Sequence, residues 1–478
     1  MNEKFIIDKH LIDNHFIDST QKNIWEIYKK EIKHNGNNHI NRLACTYNVI
    51  LSNLHAALIT RQVDFNVDLY KKIAKETENM NINDLIKHYM LFRKEKGVID
   101  FTMYETLFKI NNNFDINIYK TVYPDLTDKS DMELVRHYIN HGVYECRKTN
   151  IHDSMCFSSN KKEFYKTMFR RICIAYIPSI SKYTMTTIQQ ESNLEAVLIE
   201  FRILPHIEFL IRNTILLLGE KWSHTIVCGN LNYSHMINLC STINKNIKII
   251  KLDYDNLLVE QYSILLTSPF FWNLFTGEKI LIYQEDSMIF NKNIEDFLSY
   301  DYIGAPWNNV SKHNNSNVGN GGFSLRSKSV MLEVVNTISL SKTYNNKSKT
   351  DLLYEDVYFT KNMEDFSIGK LADKQTASKF STELILNENS LGGHCFWLSD
   401  NNWQNRIRSV FTVLNNNFSY ALVYICHNQQ SFDMIKDQLQ FTNCYVIIVG
   451  NNIPDNFYGH ENKIIIAKNL ENNIEHEN

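Results

Sequence analysis

The feature that most constrains this chain is a change of rhythm near Leu194. From there, short runs rich in Val and Ile alternate with longer helical stretches. They are LEAVLIE (194–200), a helix over 206–219 ending at Gly219, HTIVCG (224–229), a helix over 234–243, IKIIKL (247–252), a helix running to about 275, and KILIYQEDS (279–287). Short buried strands alternating with helices predict a doubly wound, mostly parallel α/β sheet. Such sheets bind ligands beyond the carboxyl ends of their strands, so the polar residues there are the ones to inspect.

Composition narrows the remaining choices. A chain of 478 residues predicts two to four domains at roughly 100–200 residues each. Hydrophobic residues at 44% and charged residues at 22% suit a globular protein. Fifty Lys and Arg against 53 Asp and Glu give a formal charge of −3, and no basic stripe occurs, so nucleic acid is not an expected partner. Fifteen glycines and six prolines exclude collagen-like and Pro/Gly-rich disordered architectures. The nine cysteines are scattered without a CxxC pair, which gives no support to a zinc ribbon or redox dithiol and favours a reducing compartment. The N-terminus carries Glu3, Lys4 and Asp8 and builds no apolar core of a signal peptide. The least polar stretch, Ile264 to Phe275, is too short to span a bilayer. A soluble protein of the cytoplasm is expected, of a host cytoplasm or virion if the chain is viral.

The first 150 residues contain a repeat. One copy places Phe65, Tyr70, His88, Tyr89 and Gly97; the other places Phe114, Tyr119, His137, Tyr138 and Gly142, with Arg147 beyond it. Phe to Tyr is five residues in both, and the first Tyr to the second is 19 in both. The pattern predicts helices, with a Tyr123-Pro-Asp-Leu126 turn in the second copy and interior packing of His88 and His137 against tyrosine. It resembles the short F-D-x-x-x-Y…Y-P-D-L…H-Y…G-x-x-E-x-R modules that accompany many glycosyltransferases.

Four later segments carry candidate chemistry. The strand KILIY runs into Gln284-Glu285-Asp286. A carboxylate at such a strand mouth can hold Mg²⁺ or Mn²⁺ through hard oxygen ligands, or be solvated punctuation. Val318-Gly-Asn-Gly-Gly-Phe-Ser-Leu-Arg326 gathers three of the scarce glycines in four positions, as needed for close backbone approach to a ligand or for a tight turn before the helix expected over 330–340. Glu355-Asp356 precedes apolar residues, and Gly392-Gly-His394 precedes Trp397.

In this order the segments resemble a GT-A glycosyltransferase domain, most closely the glycosyltransferase family found in giant DNA viruses and some bacteria. The family's pattern of Q-x-D, Y-D-Y-I-G-A-P-W, G-N-G-G-F-S-L-R, E-D-V and G-x-H-x-x-W is met at 284–286, 300–307, 319–326, 355–357 and 392–397. Ala377-Ser-Lys-Phe-Ser-Thr-Glu383 extends a likeness covering about residues 194–400. One departure stands out: Gln284 replaces the first Asp of the usual D-x-D and removes a charge.

The resemblance implies a Rossmann-like, GT-A-like sheet at 165–405 after an all-helical module at 1–155, whose repeats span about 65–97 and 114–147. Residues 410–478 form a short α/β segment that packs on the central domain or opens a further, truncated one. Implied donor-binding residues are Glu200, Arg202, Gln284, Asp286, Gly319, Asn320, Gly321 and Gly322. Asp356, with Glu355, is the implied base. Asp286, Glu285 and His394 are the implied ligands of Mn²⁺ or Mg²⁺. The expected activity is transfer of a sugar from a nucleotide sugar to a glycan or protein acceptor. The alternative is a non-catalytic carbohydrate-binding or scaffold protein that keeps the fold. Oligomeric state is not legible.

Overall fold

A computed structural model describes residues 66–81, 84–85, 88–89, 99–308, 318–339 and 354–415, and the backbone of three later strands. The chain divides into two compact units: residues up to Phe108 together with Asn112–His137, and Lys109–Asn111 together with Tyr138 onward.

The first unit is helical among its described residues. Helix α1 (Val67–Ile73) starts where the Asn66 side chain accepts from Leu69 N. Helix α2 (Phe101–Ile110) follows. Asp115 caps α3 (Ile116–Val122), accepting from Asn117 N and Ile118 N; each cap satisfies amides that lack a partner within the helix. Pro124–Leu126 forms a 3₁₀ turn, and α4 (Asp131–His137) continues into a π-helical turn over Tyr138–Gly142. Tyr70 Oη and His88 Nδ1 share a hydrogen bond of 2.8 Å, and Tyr119 Oη and His137 Nδ1 share one of 2.9 Å. Phe65 and Gly97 lie outside the described residues.

The second unit, which takes in the π-helical turn from Tyr138, continues with α5 (Ile151–Ser159) and α6 (Lys161–Ile180). Buried Asp153 staples them by accepting from both terminal nitrogens of Arg171, at 2.9 and 3.1 Å. A six-stranded sheet follows: β1 (Leu194–Ile199), β2 (Ser223–Cys228), β3 (Lys248–Lys251), β4 (Lys279–Tyr283), β6 (Tyr302–Ile303) and β7 (Phe323–Ser327), in the order β3-β2-β1-β4-β7-β6. Strands β1 to β4 pair in parallel, so the mixed α/β fold expected from the alternation is present with a mostly parallel centre. At the far edge, β7 pairs antiparallel with β4 and with β6.

Helix α7 (Ile207–Leu218) is buried over nearly its whole length and stops at Gly219, whose positive φ of 77° favours glycine. The apolar stretch before 275 is not one helix: Ser268 caps a separate single turn, α10 (Pro269–Trp272), after α9 (Val259–Leu266), which itself follows α8 (Tyr233–Ile243). Phe271, Trp272, Tyr358 and Phe359 pack on Val197, Ile199, Ile280 and Ile282 to form the core on one face of the sheet.

KILIYQEDS is not one strand either. Strand β4 ends at Tyr283, residues 284–286 turn, and β5 (Ser287–Ile289) joins a second sheet with β9 (Gly392–His394) and β8 (Ser381–Thr382). Ser287 N donates to Gln284 O at 3.1 Å and its Oγ to Gly322 O at 2.8 Å, which holds the break. The Asn213 amide on α7 both accepts from Ile289 N and donates to Ile289 O, each at 3.0 Å, so one side chain completes that strand's bonding. The helix expected over 330–340 is α11 (Lys328–Thr337). Beyond 415, three parallel strands at Ala421–Ile425, Tyr445–Val449 and Ile464–Ala467 form their own sheet; the helix expected near 430–438 lies outside the described residues. Among the described residues, no helix is long and apolar enough to cross a membrane.

One buried ion pair fixes the antiparallel edge. Arg326 on β7 is fully buried, lies 4.7 Å over the Tyr302 ring, and donates to both oxygens of Glu355 at 2.8 and 3.1 Å. Removing one partner strands a buried charge, so Arg326→Leu lowers unfolding free energy by about 3–5 kcal/mol. Denaturant titration checks this, and the Arg326→Leu/Glu355→Leu double variant should recover much of the loss.

Candidate active site

The site begins where β4 ends. Glu285 and Asp286 are both buried, and two adjacent buried carboxylates stay ionised only beside cations. Helix α6 supplies two of these. Lys166 Nζ lies 2.7 Å from Glu285 Oε1 and 2.9 Å from Asp286 Oδ2, and Arg170 donates to both Glu285 oxygens at 2.7 and 3.1 Å. His206, just before α7, meets the Glu285 backbone carbonyl at 2.8 Å and its Oε2 at 3.2 Å. Burial works to raise the Glu285 carboxyl, but His206 and Arg170 hold it well below the usual range. Burial likewise opposes ionisation of Asp286 and is outweighed by His394 and then Lys166, leaving that group far below the usual range too.

His394 comes from the second sheet, opposite Ser287. Its Nε2 lies 3.3 Å from Asp286 Oδ1, and its Nδ1 lies 3.2 Å from Glu383 Oε1. Burial disfavours the charged ring, yet Cys395 and Asp286 hold its pKa well above the ordinary value. Cys395 N donates to Asp286 O at 3.0 Å, and its Sγ to Asp286 Oδ2 at 3.3 Å.

The glycine-rich loop closes over this cluster. Gly319 has φ 148°, a conformation that disfavours any side chain. Gly322 touches the imidazole so closely that an added Cβ would stand 2.4 Å from His394 Cδ2 and 2.5 Å from Nε2. Gly322 O accepts from Gln284 N at 3.0 Å, and Gly322 N donates to Asn320 Oδ1 at 3.0 Å. Gly321 N donates to Asp356 Oδ2 at 3.1 Å, at the start of α12 (Glu355–Phe366). Burial, reinforced by the adjacent Glu355 carboxylate, pushes the Asp356 carboxyl up to about 7.

On the other side, Glu200 follows β1 and accepts from Arg202 Nε at 2.8 Å and Nη2 at 2.7 Å. The same Nη2 lies 3.5 Å from Glu285 Oε1. Glu200, Arg202, Glu285, Asp286, His394, Gln284, the 319–322 loop, Asp356 and Glu355 therefore form one continuous set of contacts. Lys166, Arg170, His206, Glu383 and Cys395 belong to it as well and were not singled out from the sequence. Their signals were faint: a basic pair four residues apart on one helix, and a glutamate and cysteine inside or beside motifs already noted.

Asp286 and His394 fit a divalent cation, since a carboxylate oxygen and an imidazole nitrogen face each other at 3.3 Å. Glu285 fits one less well, because both its oxygens already meet Lys166, Arg170 or His206.

Residues 246–394 match the model of a family described as "Protein of unknown function (DUF5672)", under a third of the chain. No curated protein matches the sequence. Among solved structures, the chain is similar to the apo-form glycosyltransferase GlyE of Streptococcus pneumoniae TIGR4, at 11% identity over 57% of this chain and 79% of that one, with a TM-score of 0.29. It is also similar to the inositol-1-phosphate CTP transferase of T. maritima, at 10% identity over 48% of this chain and 98% of that one, with a TM-score of 0.30. Likenesses this slight carry no argument about activity; the side chains do.

Two outcomes follow from the geometry. An unfolded aspartate titrates near 3.9 and Asp356 in the fold at about 7. The folded state thus holds this proton more tightly, so the group favours folding at low pH and that contribution is lost as pH rises from about 4 toward 7. Subtracting the urea midpoints of Asp356→Asn from those of the parent at both pH values should expose this decline; parallel pH profiles would contradict it. Gly322→Ala drives a methyl into the His394 ring, an overpacking that costs about 1–3 kcal/mol, read as a lower Tm.

Proposed function

We propose that this protein is a glycosyltransferase that moves a sugar from a nucleotide-diphosphate donor to an acceptor hydroxyl, assisted by Mn²⁺ or Mg²⁺. One observation carries the reading: two carboxyl groups of opposite character share one loop. Asp286 is held ionised, whereas Asp356 titrates near neutrality, and the 319–322 backbone touches both Asp356 and the His394 partner of Asp286. Titratable groups pushed apart in this way are suited to separate roles in one reaction.

In this reading Asp356 accepts the proton of the acceptor hydroxyl as that oxygen attacks the anomeric carbon and the bond to the diphosphate breaks. Asp286 and His394 hold the divalent ion, which when bound offsets charge on the departing diphosphate. Glu285 aligns Lys166 and Arg170 toward the same charge. Arg202, half exposed and oriented by Glu200, contacts the nucleotide. The acceptor is a glycan or protein hydroxyl. Residues 1–155 act as a helical module of two equivalent units that position a partner, supported by the matching Tyr70–His88 and Tyr119–His137 bonds. The transferase domain occupies 165–405, and residues 410–478 form a short further α/β segment.

A second reading, a non-catalytic carbohydrate-binding or scaffold protein, draws on the neutralisation of Glu285 and Asp286 by Lys166 and Arg170 and on the uncharged Gln284. Donor hydrolysis with and without Mn²⁺ separates the two. In the transferase, Asp286→Asn weakens donor binding in calorimetry, whereas Asp356→Asn keeps donor affinity within a few-fold and lowers transfer about 10²–10⁴-fold. A full-rate Asp356→Asn enzyme would remove the base from this scheme.

A further inference from the structure

Cys395 lies in this cluster, and sugar transfer gives its thiol no task. It is 3% exposed and holds a left-handed backbone, φ 45°, that residues with a side chain rarely adopt. Strain of this kind persists where the surroundings dictate the conformation. It aims the thiol at two neighbours: Sγ lies 3.3 Å from Asp286 Oδ2 and 3.6 Å from His394 Nε2. Asp286, His394 and Cys395 can each offer one ligand atom, all within 4.8 Å of one another.

The spacing has a chemical meaning. With Zn–N and Zn–O near 2.0–2.1 Å and Zn–S near 2.3 Å, tetrahedral coordination sets nitrogen and oxygen about 3.3–3.4 Å apart and nitrogen and sulfur about 3.5–3.6 Å apart. The observed Nε2–Oδ1 and Nε2–Sγ separations are 3.3 Å and 3.6 Å, while the thiol's 3.3 Å approach to Asp286 is to its other oxygen, Oδ2. The imidazole is also oriented as zinc-binding histidines are, with its remote nitrogen at a carboxylate: Nδ1 lies 3.2 Å from Glu383 Oε1, leaving Nε2 for the ion. Lys166 keeps its 2.7 Å pairing with Glu285 when it yields Asp286.

We propose that Asp286, His394 and Cys395 form a three-ligand site that takes Zn²⁺ in preference to Mn²⁺ or Mg²⁺. Thiolate is a soft donor that hard cations avoid, so Cys395 is the residue that sets this preference. Binding releases the thiol proton, and the Nε2 proton when the ring carries one. Three protein ligands leave a fourth position, the arrangement of catalytic rather than structural zinc. As the metal of the donor site this rests on the transferase reading; as a ligand set it does not.

The test is spectroscopic. The full-length, metal-stripped protein is titrated with Co²⁺, then with Zn²⁺ or Mn²⁺ as competitor. A thiolate-to-cobalt charge-transfer band in the near ultraviolet, saturating at one ion per chain and abolished by Zn²⁺ but not by Mn²⁺, is expected. Cys395→Ser should lose the band while keeping the Tm of the metal-free parent, and Cys156→Ser, removing a thiol beside His152, should keep it. Glu383→Gln should retain the band but weaken Zn²⁺ binding about 10–100-fold. A band that survives Cys395→Ser, no band at all, or Mn²⁺ competing as well as Zn²⁺ would overturn the proposal. Donor turnover with Mn²⁺ in a protein lacking the band would sink the thiolate site alone. A Cys395-dependent band without any turnover would instead sink the transferase reading.

Discussion

Two neighbouring carboxylates, Glu285 and Asp286, are buried at the end of the central strand, and much of this architecture answers that fact. Like charges this close repel by several kcal/mol unless opposite charge is near, for at an effective dielectric of 20 a unit pair at 4 Å is worth about 4 kcal/mol. Compensation arrives from three distant parts of the chain: Lys166 and Arg170 from α6, His206 from the start of α7, and His394 from β9. Desolvation loses the contest, and both carboxyls remain ionised. The helix preceding the sheet is thereby anchored to the sheet's functional edge.

The second, three-stranded sheet is what makes the convergence possible. Because β4 breaks at Gln284 and β5 departs in a new direction, Ser287 comes to pair with His394, which places the imidazole beside Asp286. The Asn213 amide then terminates β5 by serving as both donor and acceptor to Ile289. A helix side chain substitutes for a neighbouring strand, so the small sheet needs no further partner on that side.

Much of the fold was legible because parallel strands buried on both faces read as unbroken Val/Ile runs, as in LEAVLIE and HTIVCG. The glycine-rich loop stood out because the chain is otherwise poor in glycine. Strand direction was left unread although Phe323-Ser-Leu-Arg-Ser327 carries a mark of it: apolar and polar residues alternate there, unlike the nearly unbroken apolar run of KILIY, as suits an antiparallel strand. The break at Gln284 was missed because Gln284–Asp286 reads equally as the polar end of one strand and as a turn between two, while a serine hydroxyl bond to Gly322 sets the turn. Lys166 and Arg170 escaped notice for another reason. Their partners lie 120 and 115 positions away, and spacing along a helix does not reveal what the helix faces. Asp286, Asp356 and His394 were found because each sits at an element boundary, where polar residues interrupt a pattern.

Arg326 is buried in the core, yet it bears on the group proposed as the base. Its guanidinium fixes Glu355, whose charge helps lift the proton affinity of Asp356, while the guanidinium charge itself works the other way. The acidity of the proposed base is thus adjusted from inside the core. Natural variation at 326 and 355 should therefore travel together, and a lineage that altered one of the two without the other would shift the acidity of Asp356.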